Sequence, residues 1–218
     1  MDLPTEYHWI APAGAALLGY LLGSIPFGLL LTRLFGAGDL RQIGSGNIGA
    51  TNVLRTGRKG LAAATLLLDA AKSFAAVWLA QHVFTAQDPS LGIIAGAAAF
   101  LGHVYPIWLR FRGGKGVATL MGIILALNWP SALVYALVWL GLLALLRISS
   151  VAGMAAAMSA PVSAALFSAF DIVLLLLALS LLVLWKHREN IERLFSGTEP
   201  RIGTKKSAEP PNLPEQDV

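Results

Sequence analysis

The sequence predicts an all-α integral membrane protein: a polytopic bundle of seven transmembrane helices, N-terminus outside and C-terminus cytoplasmic. Three observations predict this fold, namely the composition, the length of the apolar runs and the placement of the basic residues. Of the 218 residues, 56% are hydrophobic and only 13% are charged, and the mean hydropathy is +0.67. Soluble domains contain about 25% charged residues, and a soluble chain of this size could not bury so much apolar surface. The surplus is expected to face lipid.

The apolar runs have the length that a bilayer requires, which is about 20 residues for a crossing helix. There are seven of them, at residues 9–32, 61–81, 91–109, 117–128, 131–146, 151–167 and 172–185. The fourth run is short, and Asn128, Trp129 and Pro130 interrupt an otherwise continuous apolar stretch over 117–146. That stretch is compatible with one long helix or with a hairpin of two short ones.

The basic residues decide between these alternatives, because cytoplasmic loops are enriched in lysine and arginine. The 16 basic residues lie at 33–59, 110–115, 147 and 186–206, apart from Lys72, which lies inside the second predicted span. A hairpin at 117–146 places fifteen of them on one side of the membrane, whereas a single helix would put Arg147 on the other side. The hairpin is therefore predicted, and it gives the orientation of the termini.

Composition and charge also exclude several functions. The net charge of +4 could suggest a nucleic-acid partner, but the basic residues follow the membrane topology, so no nucleic acid is expected. The absence of cysteine excludes disulfides, thiolate nucleophiles and cysteine-bound metals. Residues 1–203 are expected to form one transmembrane domain, and the polar, proline-rich tail at 204–218 is expected to be disordered.

The first of three unusual polar segments covers residues 39–55. It combines glycines with small polar residues and ends at Arg55, so it is a candidate anion-binding loop that leads into a helix N-terminus. The residues of interest are Gly44, Ser45, Gly46, Asn47, Thr51, Asn52 and Arg55. The alternative is a flexible connector whose arginines only follow the positive-inside rule.

The second segment covers residues 102–119, where Gly113, Gly114 and Gly116 surround Lys115 at the start of the next helix. A lysine at the positive end of a helix suits a phosphate, although simple turn chemistry is the alternative. The segment is not a Walker A loop, so an ATPase is disfavoured. Two further candidates are His103 and Thr119, of which His103 is either a site residue or a buried, hydrogen-bonded histidine.

The third segment covers residues 186–203, directly after the last span. His187 and Asn190 would share one face of a helix, and an unperturbed histidine titrates near neutrality. The alternative is a basic helix that lies on anionic lipid. Inside the second span, Asp69 and Lys72 are three residues apart. Ionisable groups within a span are usually functional, but this pair is interpreted as structural support because its charges can neutralise each other.

Together these motifs resemble a known family. The segments SGNIGATN (45–52), Asp69-x-x-Lys72, GH…P…FxGGKGVAT (102–119) and NIxRLxxGTEP (190–200) are similar to those of bacterial membrane acyl-phosphate:glycerol-3-phosphate acyltransferases of the PlsY type. The resemblance extends from about residue 14 to 203. It implies a seven-helix protein of the bacterial cytoplasmic (inner) membrane, with its active site at the cytoplasmic face. It also implies acyl transfer from acyl-phosphate to the 1-hydroxyl of glycerol 3-phosphate, which gives lysophosphatidate and phosphate for phospholipid biosynthesis.

The resemblance also implies residue roles. The expected catalytic residues are Ser45, Arg55, Lys115, His187 and Asn190, with the two cations on phosphates and the other three orienting the glycerol hydroxyls. Either His187 or a substrate phosphate oxygen would take the hydroxyl proton. The wider set expected to bind substrate or phosphate is Gly44, Gly46, Asn47, Thr51, Asn52, His103, Gly113, Gly114, Gly116, Thr119 and Glu199.

Acyl-phosphate is already activated, so no cofactor or metal is expected. The expected partners are the two substrates and membrane lipids, and no obligate protein partner is inferred. The competing function is a transporter of a small organic phosphate. A transporter would need polar groups across the bilayer, and apart from Asp69 and Lys72 the spans have few. The absence of an evident internal repeat also disfavours an inverted-repeat transporter.

Overall fold

The computed structural model describes residues 9–83 and 88–203, and these residues form α-helices and two 3₁₀ turns, with no strand. The all-α prediction is therefore confirmed for the part of the chain that is described, whereas the predicted disordered tail at 204–218 lies outside it. The helices are α1 (Ile10–Gly23), α2 (Phe27–Leu34), α3 (Ala50–Leu54), α4 (Lys59–Val83), α5 (Pro89–Val104), α6 (Val117–Leu127), α7 (Trp129–Leu146), α8 (Ser149–Leu166), α9 (Phe170–Lys186) and α10 (Arg188–Phe195).

Several of these helices are long and apolar enough to cross a membrane. In the described residues there are five such spans, with α1 and α2 counted together as Ile10–Leu34, and a sixth if α9 and α10 are counted as one span bent by 56°. Helix α6 is a shorter apolar helix. Large apolar side chains such as Leu67, Leu137 and Leu174 are between 62% and 78% exposed, which suits a surface in contact with lipid.

Residues 117–146 fold as two helices that turn back on each other, as the charge distribution predicts. The break is at Asn128, whose side-chain oxygen accepts the backbone N–H of Ser131 at 3.0 Å and so caps α7. The hydroxyl of Tyr135 on α7 donates to the backbone oxygen of Val117 on α6 at 2.9 Å. A continuous helix would separate these residues by roughly 27 Å at 1.5 Å per residue, so the two helices form a hairpin.

Helices α1 and α5 pack backbone against backbone. A Cβ atom added at Gly19 would overlap the backbone of Ala95, and one added at Gly23 would overlap that of Ala99. Small residues allow this close approach, which is a common way for helices to associate in membranes. Because Gly19 faces Ala95 and Gly23 faces Ala99, the two helices run in the same direction.

A proline inside α8 leaves a backbone acceptor free, and the neighbouring helix uses it. Pro161 has no N–H, so the backbone oxygen of Ala157, four residues earlier, lacks its usual helical partner. The hydroxyl of Ser180 on α9 donates to that oxygen at 2.5 Å. This hydrogen bond ties α8 to α9 inside the apolar region, where an unpaired carbonyl would be costly.

Candidate active site

The three polar segments meet at one cavity. All five predicted catalytic residues line it, and so do residues of α4, α6, α7 and α8. The lining consists of Ser45, Asn47, Gly49, Ala50, Thr51, Asn52, Arg55, Leu66, Asp69, His103, Lys115, Gly116, Val117, Ala118, Trp139, Ser149, Ser150, His187, Asn190 and Glu199. The structure therefore brings together groups that are up to 154 residues apart in the sequence.

Asn52 fixes the shape of the first polar segment. Its amide nitrogen donates to the backbone oxygens of Leu40 at 2.9 Å, Ile43 at 2.9 Å and Asn47 at 2.8 Å. Its side-chain oxygen accepts the backbone N–H of Ser45 at 3.4 Å. Asn52 is buried, so its contacts hold the loop closed and set the position of Ser45 in the cavity wall.

Arg55 lies at the end of the short helix α3 and is exposed to the cavity. Its guanidinium has no hydrogen-bond or ion-pair partner among the described residues, so its donors are available to a ligand. Gly44 packs beside it with a φ of +56°, and a Cβ there would come within 2.6 Å of Arg55 Nη1 and Asn52 Oδ1. A glycine is needed at this position for both reasons.

Lys115 lies directly before α6, and its Nζ donates to Asn190 Oδ1. Gly116 has a φ of +88°, and a Cβ there would overlap the ring of Phe100, so the turn requires glycine. Burial is the main reason that the pKa of Lys115 is lowered to about 8, and the nearby charge of Arg193 contributes to this lowering. At pH 7 the lysine is still mostly cationic.

His187 lies at the bend between α9 and α10. Its Nδ1 is 2.8 Å from the backbone oxygen of Val183, so Nδ1–H donates there and Nε2 has the free lone pair. Burial lowers the pKa of His187 to about 4, although the hydrogen bond to Val183 opposes this. The imidazole is therefore neutral at pH 7, with Nε2 available to accept a hydrogen bond from a ligand.

Glu199 joins the start of α8 to α10. Its Oε1 accepts from Ser150 Oγ and from Asn190 Nδ2, both at 2.6 Å, and its Oε2 accepts from Arg193 Nε at 2.8 Å. Burial opposes ionisation of Glu199, but these three hydrogen bonds outweigh it and hold its pKa below the ordinary value. Because Asn190 also contacts Lys115, the carboxylate fixes the amide that accepts from the lysine.

Three helices begin at the cavity, and this makes its electrostatic potential favourable for anions. The first residues of α3 (Ala50), α6 (Val117) and α8 (Ser149 and Ser150) all line the wall. Helix N-termini have a partial positive charge and unpaired N–H groups.

The sequence did not lead us to predict Ser149, Ser150 and Arg193 as site residues. A usable signal was the Ser-Ser pair that follows Arg147 on the side of the basic loops.

Some predicted binding residues lie behind the wall instead of in it. The N–H of Gly113 donates to the backbone oxygen of Val104 at 3.1 Å, and the N–H of Gly114 donates to the backbone oxygen of His103 at 3.0 Å. These bonds hold the turn that contains Lys115. Five residues of the wider set do not line the cavity: Gly44, Gly46, Gly113, Gly114 and Thr119. As direct contacts of substrate they remain predictions.

The predicted pair inside α4 is present. Lys72 Nζ is 2.7 Å from Asp69 Oδ1, both side chains are buried, and Asp69 also lines the cavity. Within residues 9–83 and 88–203, no group of three or more His, Asp or Glu side chains could hold a metal ion.

Comparison with known proteins gives the family. The family model described as glycerol-3-phosphate acyltransferase matches residues 13–197. The chain belongs to this family. The glycerol-3-phosphate acyltransferase of Mesorhizobium japonicum is 56% identical over 191 residues, which are 88% of this chain and 96% of the relative. That of Caulobacter vibrioides is 55% identical over 192 residues, which are 88% of each chain.

Solved structures of a family member share the fold. A crystal structure of PlsY, described as an integral membrane glycerol 3-phosphate acyltransferase in its glycerol 3-phosphate form, has a TM-score of 0.81 and 38% sequence identity. It covers 88% of this chain and 96% of its own. The lysophosphatidic acid form of the same enzyme has a TM-score of 0.79 and 37% identity, with the same coverage. The family likeness and the apolar helices identify this acyltransferase as a multi-pass membrane protein.

Proposed function

We propose that the protein transfers a fatty acyl group from acyl-phosphate to the 1-hydroxyl of sn-glycerol 3-phosphate. The products would be lysophosphatidate and inorganic phosphate, in bacterial phospholipid biosynthesis. The observation that supports this most is the cavity itself, where a guanidinium without a partner in the described residues (Arg55), a lysine (Lys115) and three helix N-termini surround one space. Both substrates contain phosphate, and this is the chemistry that such a space favours.

The side chains divide the work in the proposed reaction. Arg55 and Lys115 would hold phosphates and offset the charge that develops on the carbonyl oxygen and the leaving phosphate. Ser45, His187 and Asn190 would orient the glycerol hydroxyls. The hydroxyl oxygen attacks the acyl carbonyl carbon, the bond from that carbon to the phosphate oxygen breaks, and phosphate leaves with the electron pair.

The proton of the attacking hydroxyl has two possible acceptors, His187 and a substrate phosphate. The second pKa of a phosphate ester is near 6, whereas burial lowers the pKa of His187 to about 4. The phosphate is thus the stronger base at neutral pH. We therefore assign the proton to a phosphate oxygen and give His187 the role of orienting the hydroxyl through Nε2.

The membrane arrangement is part of the same proposal. All seven predicted apolar runs contain helix, and seven crossings would put the N-terminus outside and the C-terminus in the cytoplasm. The cavity would then open at the cytoplasmic face of the inner membrane, where the water-soluble substrate glycerol 3-phosphate can enter it. Leu66 and Trp139 form an apolar part of the wall, and this side suits the acyl chain of the donor.

The deciding experiment measures turnover with purified protein in detergent or lipid. Labelled glycerol 3-phosphate is supplied with palmitoyl-phosphate in one reaction and with palmitoyl-CoA in another, with a chelator in both. Lysophosphatidate from acyl-phosphate alone supports the proposal. Product only from the CoA ester would reject acyl-phosphate as the donor. No product from well-folded protein would favour the transporter, which an assay of organic phosphate transport in liposomes would test.

Two variants make the test specific to the cavity. Lys115→Ala removes a cation from the wall and should lower the rate at least about 100-fold, the usual effect of losing one charge-stabilising donor. Arg58→Ala removes a nearby exposed cation that does not line the cavity, so its rate should stay close to wild type.

A further inference from the structure

The ion pair inside α4 has two further partners. Lys72 Nζ is 2.7 Å from Asp69 Oδ1, 2.7 Å from the backbone oxygen of Ile25 and 3.0 Å from His103 Nδ1. Asp69, Lys72 and His103 are each at most 5% exposed, so these contacts are shielded from bulk water. An ammonium group has three N–H donors, and here it meets three candidate acceptors.

This arrangement selects one tautomer of His103. A buried carboxylate needs a cationic partner, and Lys72 is the cation in contact with Asp69. The carboxylate and the backbone oxygen of Ile25 can only accept, so they take two of the three ammonium donors. The third N–H of the Lys72 ammonium group points at Nδ1 of His103. Nδ1 must therefore be unprotonated, so that its lone pair can accept this hydrogen bond. Because a neutral imidazole has one protonated nitrogen, the proton lies on Nε2.

The opposite edge of the imidazole faces the turn that contains Lys115. A Cβ added at Gly114 would overlap His103 Nε2, so this nitrogen lies against the residue that precedes the lysine. In the described part of the chain Nε2 has no hydrogen-bond partner, and it is not among the buried side-chain atoms without a partner, which are Thr119 Oγ1 and Ser131 Oγ. Because His103 lines the cavity, we infer that Nε2 is the ring atom available to a ligand there.

We propose that Asp69 and Lys72 are positioning residues that hold His103 as its Nε2–H tautomer, and that this N–H donates to a substrate oxygen bound beside Lys115. The inference rests on the proposed function. A phosphate oxygen and an acyl carbonyl oxygen both accept such a bond, and a neutral imidazole supplies the donor without adding a charge to a wall that already has two cations.

The tautomer can be measured without any assay of activity. In protein labelled with ¹⁵N-histidine in detergent at pH 7, the nitrogen shifts of each ring report which nitrogen is protonated. His103 is assigned by the signals that His103→Gln removes, and its Nε2 should be protonated. His82 and His187 should show the opposite tautomer, because their Nδ1 atoms lie 2.7 Å and 2.8 Å from backbone oxygens. A protonated Nδ1 on His103, as a neutral Lys72 would require, overturns the proposal.

A pair of variants tests the donor itself. In His103→Gln the amide nitrogen can reach the region of Nε2, whereas in His103→Asn it reaches only that of Nδ1. We expect kcat/KM of the glutamine variant to stay within about tenfold of wild type. The asparagine variant lacks the donor, so its kcat/KM should be about 10- to 100-fold below that of the glutamine variant, as for the loss of a hydrogen bond to a charged group. Equal losses in both variants would reject the donor role.

Two controls keep this result apart from other failures. His82 is exposed and does not line the cavity, so His82→Gln should keep wild-type kinetics. If wild-type protein forms no lysophosphatidate, the proposed function fails, but the ¹⁵N spectrum still decides the tautomer. If Lys72→Met folds, the signals of His103 should shift toward protonated Nδ1, and unchanged signals would reject the positioning role of Lys72.

Discussion

Raising the pH from 7 to 9 should discharge Lys115 and lower kcat/KM for glycerol 3-phosphate about tenfold. Burial is the main reason that the pKa of this lysine is only about 8, and Arg193 adds to the effect while Glu189 and Glu199 oppose it. A lysine loses its charge as the pH rises through its pKa. It is therefore about nine-tenths charged at pH 7 and about one-tenth charged at pH 9.

The free enzyme sets this profile, because kcat/KM reports the ionisation of groups before substrate binds. Glycerol 3-phosphate does not contribute between pH 7 and 9, since the second pKa of its phosphate is near 6. Lys115→Arg provides the matched comparison. A guanidinium stays charged throughout this range, so the variant should lose the basic limb even if its geometry at Asn190 makes it slower overall.

The assay follows labelled lysophosphatidate at each pH, with reactions lacking enzyme to subtract spontaneous hydrolysis of the acyl-phosphate. Thermal unfolding is measured at the same pH values to show that the protein stays folded. A wild-type profile that is flat from pH 7 to 9 would show that the charge of Lys115 is not needed. An identical basic limb in wild type and Lys115→Arg would assign the titration to another group.

Three further predictions follow from contacts described above. Glu199→Gln removes the charge that three donors share, so it should lower stability by about 1.5–3 kcal/mol and raise KM for glycerol 3-phosphate, as measured by thermal unfolding and kinetics. Gly23→Ala should destabilise the protein by about 1–3 kcal/mol, whereas Gly141→Ala, where an added Cβ meets nothing within 4 Å, should not; equal unfolding temperatures would contradict the close α1–α5 packing. Arg55→Ala should lower kcat/KM about 100-fold with unchanged thermal stability, because its guanidinium has no protein partner in the described residues; a lower unfolding temperature would indicate a structural role.

The positions of most helices could be predicted because lipid imposes a simple pattern. A long apolar run has little alternative to a helix in a bilayer, and the predicted run at 172–185 corresponds to α9 at 170–186. The break between α1 and α2 was not predicted. It lies at Pro26, inside a continuous apolar run, so hydropathy does not reveal it. The proline alone does not predict a break either, because prolines can be tolerated within membrane helices.

The site was predictable where one local segment supplies the chemistry and not where distant segments share it. Lys115 sits in a distinctive glycine-rich turn, so the sequence alone predicts a phosphate ligand there, and the structure places Lys115 in the cavity wall. Ser150 and Arg193 matter because both contact Glu199, and no local pattern shows that contact. In the same way, the sequence shows Lys72 beside Asp69, but its contact with a histidine 31 residues away arises only in the fold.

The place of Glu199 near the end of the chain has a consequence for the newly made protein. The cavity wall uses residues from Ser45 to Glu199, so the ribosome must add 154 further residues after Ser45 before the wall is complete. At about 5–20 residues per second, this takes roughly 8–31 s. During that time the early helices can already enter the membrane, while the nascent chain lacks its last wall residue. Translation of an mRNA truncated before the codon of Glu199 would therefore leave inserted helices with an incomplete cavity.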